Sequence, residues 1–430
     1  MAKNKKAPRI KPLNNFFMLF ILTAFQLATG FIAASCGEEF EFKVFLSLAI
    51  LAAVEWVYLI FFYTAFHRRN FELELIAFFL SGVGLATIGS VYPDSGFKQL
   101  FMVIAGLLVF IVLVFVLGHV DFCMKIRPLV AIAAILFLMA NIVLAKWVNG
   151  AGNWIEIAGF RIQPSEFVKA AFIFVGAATL EKIQTSKNII VFIGFAVICV
   201  GSLMLIRDFG TALIFFMTFL IIAFMLSGDI KTIALAIASA VMGGVIVLKY
   251  RSHVMRRFEA YRHVWEHPYE ASGWQQTRVL VGIASGGLFG LGIGNGYARY
   301  VYAPVSDSIF GVICEEWGFI FGVLLVLSFV GIAVSALMNS IASRSAFYSI
   351  ASVAGAGLLL FQCALNIFGI TDILPLTGVT IPFVSLGGSS MISCWAILAF
   401  IKASDVRTYN YLGSGKKKDK EADRRGGAAR

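Results

Sequence analysis

The chain alternates between apolar runs and short polar clusters, and about twelve of the runs approach the roughly 20 residues a helix needs to cross a bilayer with its backbone groups satisfied. They are Phe16–Ala34, Val44–Phe66, Leu73–Val91, Leu100–Gly118, Leu129–Ala145, Phe167–Leu180, Ile189–Ile206, Thr211–Leu226, Ile233–Leu248, Ile309–Leu337, Tyr348–Phe368 and Phe383–Ile401. The sixth and eighth are short, which makes their boundaries the weakest. The pattern predicts an all-α polytopic membrane protein with about 12 transmembrane helices and a large extracytoplasmic loop, about residues 250–308, before the last three.

Composition agrees with this reading: of 430 residues 60% are hydrophobic and only 14% charged, which excludes a conventional soluble multidomain chain. Six isolated cysteines suggest neither a disulfide framework nor a C-x-x-C motif. The basic start, residues 1–15, precedes a run without a small-residue cleavage site, so it reads as a cytoplasmic segment before a retained first helix. Residues 403–430 have the composition of a solvated, disordered cytoplasmic tail, leaving 16–402 as the membrane domain. With the amino terminus inside, the short loops HRRN, DFCMKIR, EKIQTSKN, SGDIKT and NSIASRSA become cytoplasmic, and most carry Lys or Arg as the positive-inside rule asks. Both termini are then cytoplasmic.

The outer loop breaks the charge rule, with Arg251, Arg256, Arg257, Arg262, Arg278 and Arg299 on it, but long loops translocate regardless of charge. Two readings stand for these arginines: forked binding of an anionic substrate such as a diphosphate, and anchoring to lipid headgroups. SGGLFGLGIGNG, Ser285 to Gly296, follows no strand, so it is no dinucleotide fingerprint; its glycines serve tight turns or close approach to a ligand. HVWEH, His263 to His267, has zinc-ligand spacing, but Pro268 disfavours helix at His267 and a third ligand is missing nearby, which argues against metal. Glu166 and Lys169 stand three apart at the start of a membrane helix, where they form either a functional pair or a structural ion pair. Asp208, Asp307, Glu315 and Glu316 add carboxylates at helix ends. TGVTIPFVSLGGSS, Thr377 to Ser390, combines Pro, Gly and hydroxyl residues at membrane depth, where irregular backbone must line a cavity or be buried in protein. Nothing indicates nucleic-acid binding.

Five ordered blocks resemble the SEDS (shape, elongation, division and sporulation) family of RodA, FtsW and SpoVE: NGAGNWIEIAGFRIQPSEFVK, RDFGTAL, SGWQQTRVLVGIASGGLFGLGIGNG, YAPVSDSIFGVICEEWGF and LPLTGVTIPFVSLGGSS. The resemblance implies a peptidoglycan glycosyltransferase of the bacterial cytoplasmic membrane that polymerises lipid II on its outer face and works with a class B penicillin-binding protein. It implies no required cofactor and leaves room for a divalent cation. The family usually has ten membrane helices, so an extra pair near the amino terminus is expected. Family members place an aspartate shortly before the Gly-aromatic-Gln element, here Gly273, Trp274 and Gln275; this chain has HPYEASGWQ instead. Glu270 is the only carboxylate within it, which makes it the candidate general base, with Asp307 as rival. Candidate substrate contacts are Glu166, Lys169, Asp208, Arg256, Arg257, Gln275, Arg278, Asn295, Arg299 and Ser389. The competing functions are a flippase for a lipid-linked precursor and a non-catalytic scaffold for a synthase.

Overall fold

The computed structural model describes residues 14–148, 151–157, 160–180, 186–231, 234, 237, 238, 261–266, 268, 269 and 273–409. Among them are thirteen α-helices. The first eight are α1 Asn15–Ala34, α2 Phe42–Ala65, α3 Glu72–Val91, α4 Pro93–Leu117, α5 Val120–Leu144, α6 Pro164–Leu180, α7 Ser186–Leu205 and α8 Phe209–Ser227. Then follow α9 Trp274–Gly286, α10 Ile309–Trp317, α11 Phe319–Ile341, α12 Ala346–Ile370 and α13 Gly388–Ser404. Among the described residues eight helices are long and apolar enough to cross a membrane, and α6, α7 and α13 are apolar helices on three further expected runs. The expected run Ile233–Leu248 lies almost wholly outside the described residues.

Local signals account for several boundaries. The Asn14 side chain accepts a hydrogen bond from Phe16 N and caps α1. Pro93 opens α4, where its missing N–H costs nothing. Asp208 caps α8 by accepting from Thr211 N at 3.0 Å, and Gly228 ends that helix in the left-handed conformation.

Three features depart from the apolar pattern. Between α5 and α6 the chain forms a small antiparallel sheet, β1 Lys146–Val148, β2 Ala151–Ile157 and β3 Phe160–Ile162, with Glu156 opposite Arg161. The expected single span Ile309–Leu337 is two helices, because Gly318 at φ 95° breaks it between α10 and α11. The last helix begins at Gly388 rather than Phe383, and the preceding segment folds inward with Ile381, Phe383 and Val384 buried.

Helices α3, α12 and α13 form the interior, whereas α1, α5, α7 and α11 present large apolar side chains outward, as lipid contact requires. Lipid is as apolar as leucine, so close packing rather than exclusion from water must hold the bundle together. Small residues supply that closeness: a Cβ on Gly106 of α4 would lie 2.6 Å from the Trp395 ring of α13, and one on Gly84 of α3 would lie 2.4 Å from Val384 O. The inward-folded segment is thereby wedged against α3.

Contacts sort the connections into two ends, as the alternating spans require. At one end Lys43 pairs with Asp94 at 2.7 Å, Arg299 reaches Ser90 O, Gln99 reaches Ser385 O and Gly210 abuts Thr377. At the other, Asn15 bonds Arg69 O, Asn70 bonds Asp405, and the Tyr348 and Tyr409 hydroxyls donate to Leu117 O and Val114 O.

Candidate functional site

Beginning with its one buried cation, the site is built at the first of these ends. Lys169 is 1% exposed, and its ammonium donates to Glu166 Oε1 at 2.8 Å and to Gln362 Oε1 at 2.9 Å. The first partner lies one turn away on α6; the second comes from α12. Gln362 Nε2 in turn donates to Thr380 O at 2.9 Å, and the Thr380 hydroxyl meets Ser390 Oγ at 3.0 Å. Ser393 Oγ of α13 donates to Glu166 O, and Ser389 Oγ accepts from Gln163 N at 3.2 Å. One polar chain thus ties the start of α6 to α12, the inward-folded segment and the start of α13.

Asp208 adjoins the same group, since Gly210, two residues on, lies against Thr377 and Val379 of the inward-folded segment. Burial pushes its carboxyl pKa up, opposed by the Thr211 N–H and by Lys169. Asp307, half-buried in the turn before α10, lies across the same segment: its Oδ2 would be 3.4 Å from a Cβ on Gly378, which sits at φ 69°. Asn366 Nδ2 holds both sides by donating to Asp307 O at 2.8 Å and Val379 O at 2.6 Å.

The group is incompletely satisfied. Glu166 Oε2, Asp208 Oδ2, Asn366 Oδ1 and Thr377 Oγ1 are buried without a hydrogen-bond partner among the described residues. Buried polar atoms are nearly always paired, so oxygens left over on four neighbouring elements mark a place where water or a polar ligand is expected. The described residues contain no cluster of three or more metal-ligating side chains, and only two of the four leftover oxygens belong to carboxylates, which fits a polar substrate group at least as well as a cation.

The other candidates separate from this centre. Gln275 donates to Tyr302 O at 3.1 Å and Ser308 Oγ at 2.7 Å, anchoring α9 to the turn that carries Asp307. Arg299 donates to Gly294 O at 2.7 Å and Ser90 O at 2.5 Å, so two of its donors hold the glycine-rich loop to α3. Asn295 is exposed and closes a turn on Leu291 O, while Arg278 is exposed on α9. Glu270, Arg256, Arg257 and His267 lie outside the described residues; His263 meets Glu266 at 2.9 Å. Glu315 accepts from Ala298 N at 2.7 Å, and its carbonyl and that of Glu316 accept from Leu291 N and Gly292 N. The glycine-rich segment is therefore a loop pinned against α10, and its glycines serve turns.

Gln362, Asn366 and Thr380 were not singled out from the sequence. An amide in the middle of an apolar run is the one signal that could have marked Gln362 and Asn366, because such a group needs an internal partner. At the opposite end lies an open cleft of about 630 Å³ between Gly118–Phe122 and Arg344–Tyr348, remote from all of these residues.

A family model described as "Cell cycle protein", for FtsW, RodA and SpoVE, matches residues 80–410. Stage V sporulation protein E of Bacillus subtilis (strain 168) is 30% identical over 347 residues, covering 74% of this chain and 92% of that protein. Probable peptidoglycan glycosyltransferase FtsW of the same organism is 30% identical over 321 residues, 69% of this chain and 77% of its own. Peptidoglycan glycosyltransferase RodA of Mycobacterium leprae (strain TN) is 29% identical over 272 residues, 59% of this chain and 58% of its own. Among solved structures, one chain from a peptidoglycan synthase complex that coordinates polymerization and crosslinking superposes with a TM-score of 0.63 at 23% identity, over 77% of this chain and 96% of that one. Rod shape determining protein RodA of Thermus thermophilus gives 0.58 at 22% identity, over 78% and 95%. At these identities the likeness is one of fold. The family match begins within α3, so α1 and α2 precede it.

Proposed function

This chain belongs to the FtsW, RodA and SpoVE family of cell cycle proteins, and from that premise we propose that it is a peptidoglycan glycosyltransferase acting on lipid II. It is a multi-pass membrane protein, and the Lys/Arg bias of its short loops supports an orientation with both termini in the cytoplasm. The end bearing Glu166, Lys169, Asp208 and Asp307 then faces outward. The observation that carries the reading is this buried, incompletely satisfied polar centre beneath a loop of irregular backbone, inside a family whose relatives bear the name of that activity.

The reaction we propose is attack by an acceptor sugar hydroxyl on the anomeric carbon of the donor, with inversion and loss of the lipid pyrophosphate. A carboxylate must take the hydroxyl proton. Position beside Gly378 and the inward-folded segment supports Asp307 for this role, and Glu270 is the rival by its place before Gln275. Lys169 and the arginines of the outer loop, Arg256 and Arg257 among them, are suited to stabilising the departing pyrophosphate charge. A divalent cation could assist at the same charge. A class B penicillin-binding protein as partner accords with the cross-linking complex in which the structural relative was solved.

The test is polymerisation of lipid II by purified protein in lipid nanodiscs, with and without a class B penicillin-binding protein. Glycan polymer is expected, and replacing the true base by its amide, Asp307→Asn or Glu270→Gln, should lower turnover by roughly 100-fold or more with lipid II binding little changed. Translocation of lipid II across vesicles without any polymer would replace this reading with the flippase. Absence of both activities, while the partner is stimulated by the chain, would replace it with the scaffold.

A further inference from the structure

Three tyrosines in one short outer segment stand out from the surface: Tyr297, Tyr300 and Tyr302 are 79%, 75% and 60% exposed, while Ala298 and Val301 between them are 2% and 7% exposed. Backbone geometry produces this pattern. Ala298–Tyr300 is a 3₁₀ turn in which Tyr300 N donates to Tyr297 O at 3.1 Å, and residues three apart in such a turn eclipse one another. Val301 is extended at φ −72° and ψ 170° and turns its side chain into the protein, which leaves the exposed Tyr300 and Tyr302 on either side of it in the chain, their Cα atoms about 7 Å apart. The three exposed rings thus alternate with the buried Ala298 and Val301 along one short segment.

The segment is fastened from beneath. Ala298 N donates to Glu315, Arg299 to Gly294 O and Ser90 O, and Gln275 to Tyr302 O. The Arg299 guanidinium lies 5.9 Å from the Tyr300 ring, and Asp307 follows five residues beyond Tyr302. A contiguous exposed apolar surface ordinarily meets something. Exposed flat rings with hydroxyl tips on a fastened segment suit a flat ligand that is apolar on its face and polar at its rim.

We propose that Tyr297, Tyr300 and Tyr302 form a stacking track for the β-linked N-acetylhexosamine chain, the pyranose CH faces lying on the rings beside the catalytic centre. This rests on the glycosyltransferase reading for the identity of its ligand. An aromatic belt at the lipid headgroups would need amphipathic rings at that depth but no backbone fastened beneath them. The segment suited to that depth is a different one: Leu288 and Phe289 are 59% and 83% exposed in a turn hydrogen-bonded to the start of the spanning helix α11, through Phe319 N to Gly287 O at 2.9 Å.

The experiment titrates the full chain in nanodiscs with a soluble β-1,4-linked N-acetylglucosamine tetramer, alongside the length distribution of polymer made from lipid II. Replacing all three tyrosines by alanine should weaken tetramer binding by about tenfold and shorten the strands severalfold, while the triple phenylalanine variant should stay within about threefold of the parent in binding. Comparable thermal unfolding of both variants excludes misfolding. Unchanged tetramer binding in the alanine variant, or none by the parent, overturns the proposal. Added emission in Tyr300→Trp, relative to the parent with its seven tryptophans, that is quenched by brominated lipid but indifferent to the tetramer overturns it in favour of a membrane belt. If the parent binds the tetramer through these tyrosines yet makes no polymer, the glycosyltransferase reading fails and the track stands. If it makes polymer and the alanine variant matches it in binding and strand length, the track fails and the reading stands.

Discussion

Lys169 is buried in a protein interior that offers its side-chain nitrogen little water, and its two partners decide what its removal would do. Lys169→Met leaves the Glu166 carboxylate buried and unpaired, which should cost roughly 3–5 kcal/mol of stability. The double variant Glu166→Gln, Lys169→Met removes both charges, so thermal unfolding should recover most of that loss. Turnover should not recover if the pair meets substrate. Wild-type turnover in the double variant would make the pair a structural lock. The spacing of Glu166 and Lys169 was legible in the sequence because helix geometry brings residues three apart together. Gln362 was not, since it stands 193 residues away and only the packing of α12 against α6 brings it to the ammonium. Likewise, Gln275 and Arg299 were marked by type and motif, but neither reveals in sequence that a carbonyl already holds it.

Most membrane helices were readable as apolar runs, because length and lipid contact leave their mark on every residue. The break at Gly318 was not, since the run from Ile309 to Leu337 stays apolar across it. Tertiary contact makes that break: Phe319 N bonds Gly287 O, and Gly318 and Gly290 pack backbone to backbone. The same loop explains how α1 and α2, which precede the family match, join the rest. Cys36, just beyond α1, donates to Ile293 O at 3.3 Å, and Ile293 packs with Ala33, Ala34 and Val44. A Cβ on Gly294 would lie 2.5 Å from Cys36 Sγ, and its φ of 85° disfavours any side chain by roughly 1–2 kcal/mol. Gly294→Ala should therefore lower the unfolding temperature and turnover together. Adding Cys36→Gly relieves the collision but not the backbone strain, so rescue should be partial. A Gly294→Ala protein matching wild type in both measurements would show that this joint is immaterial.

Two polar networks, one at each end of the bundle, frame the whole architecture. The first is the candidate site. In the second, Glu74 is fully buried and accepts from Arg68 at 2.5 Å, Lys402 at 2.9 Å and Tyr58 at 3.0 Å, while Asn70 bonds Asp405 and Thr408. This network clamps the end of α13 to the α2–α3 connection, and nothing in the HRRN loop beyond its charge announced it. Both networks hold buried polar atoms without partners among the described residues, Arg68 Nε and Asn70 Oδ1 in the clamp and four oxygens in the site, but they differ at their carboxylates: Glu74 gathers three donors, whereas Glu166 and Asp208 each keep one oxygen without a partner. A carboxylate saturated by donors suits the anchored end of the bundle, and carboxylates with spare acceptors suit the working end.

Sidedness can be tested because five native cysteines are buried and only Cys36 is half-buried. Cys36→Ser should preserve the hydrogen bond to Ile293 O and give a quiet background. Into it, Tyr269→Cys and Ser186→Cys are introduced one at a time. Tyr269 is 85% exposed on the long loop, and Ser186 opens α7 after the Lys-bearing connection from α6. On the positive-inside argument, an impermeant thiol reagent added to intact cells should label Tyr269→Cys and leave Ser186→Cys unlabelled until the membrane is permeabilised. Labelling of Ser186→Cys in intact cells would invert the bundle, turn the Glu166 and Asp208 centre toward the cytoplasm, and remove it from any reaction on the outer face.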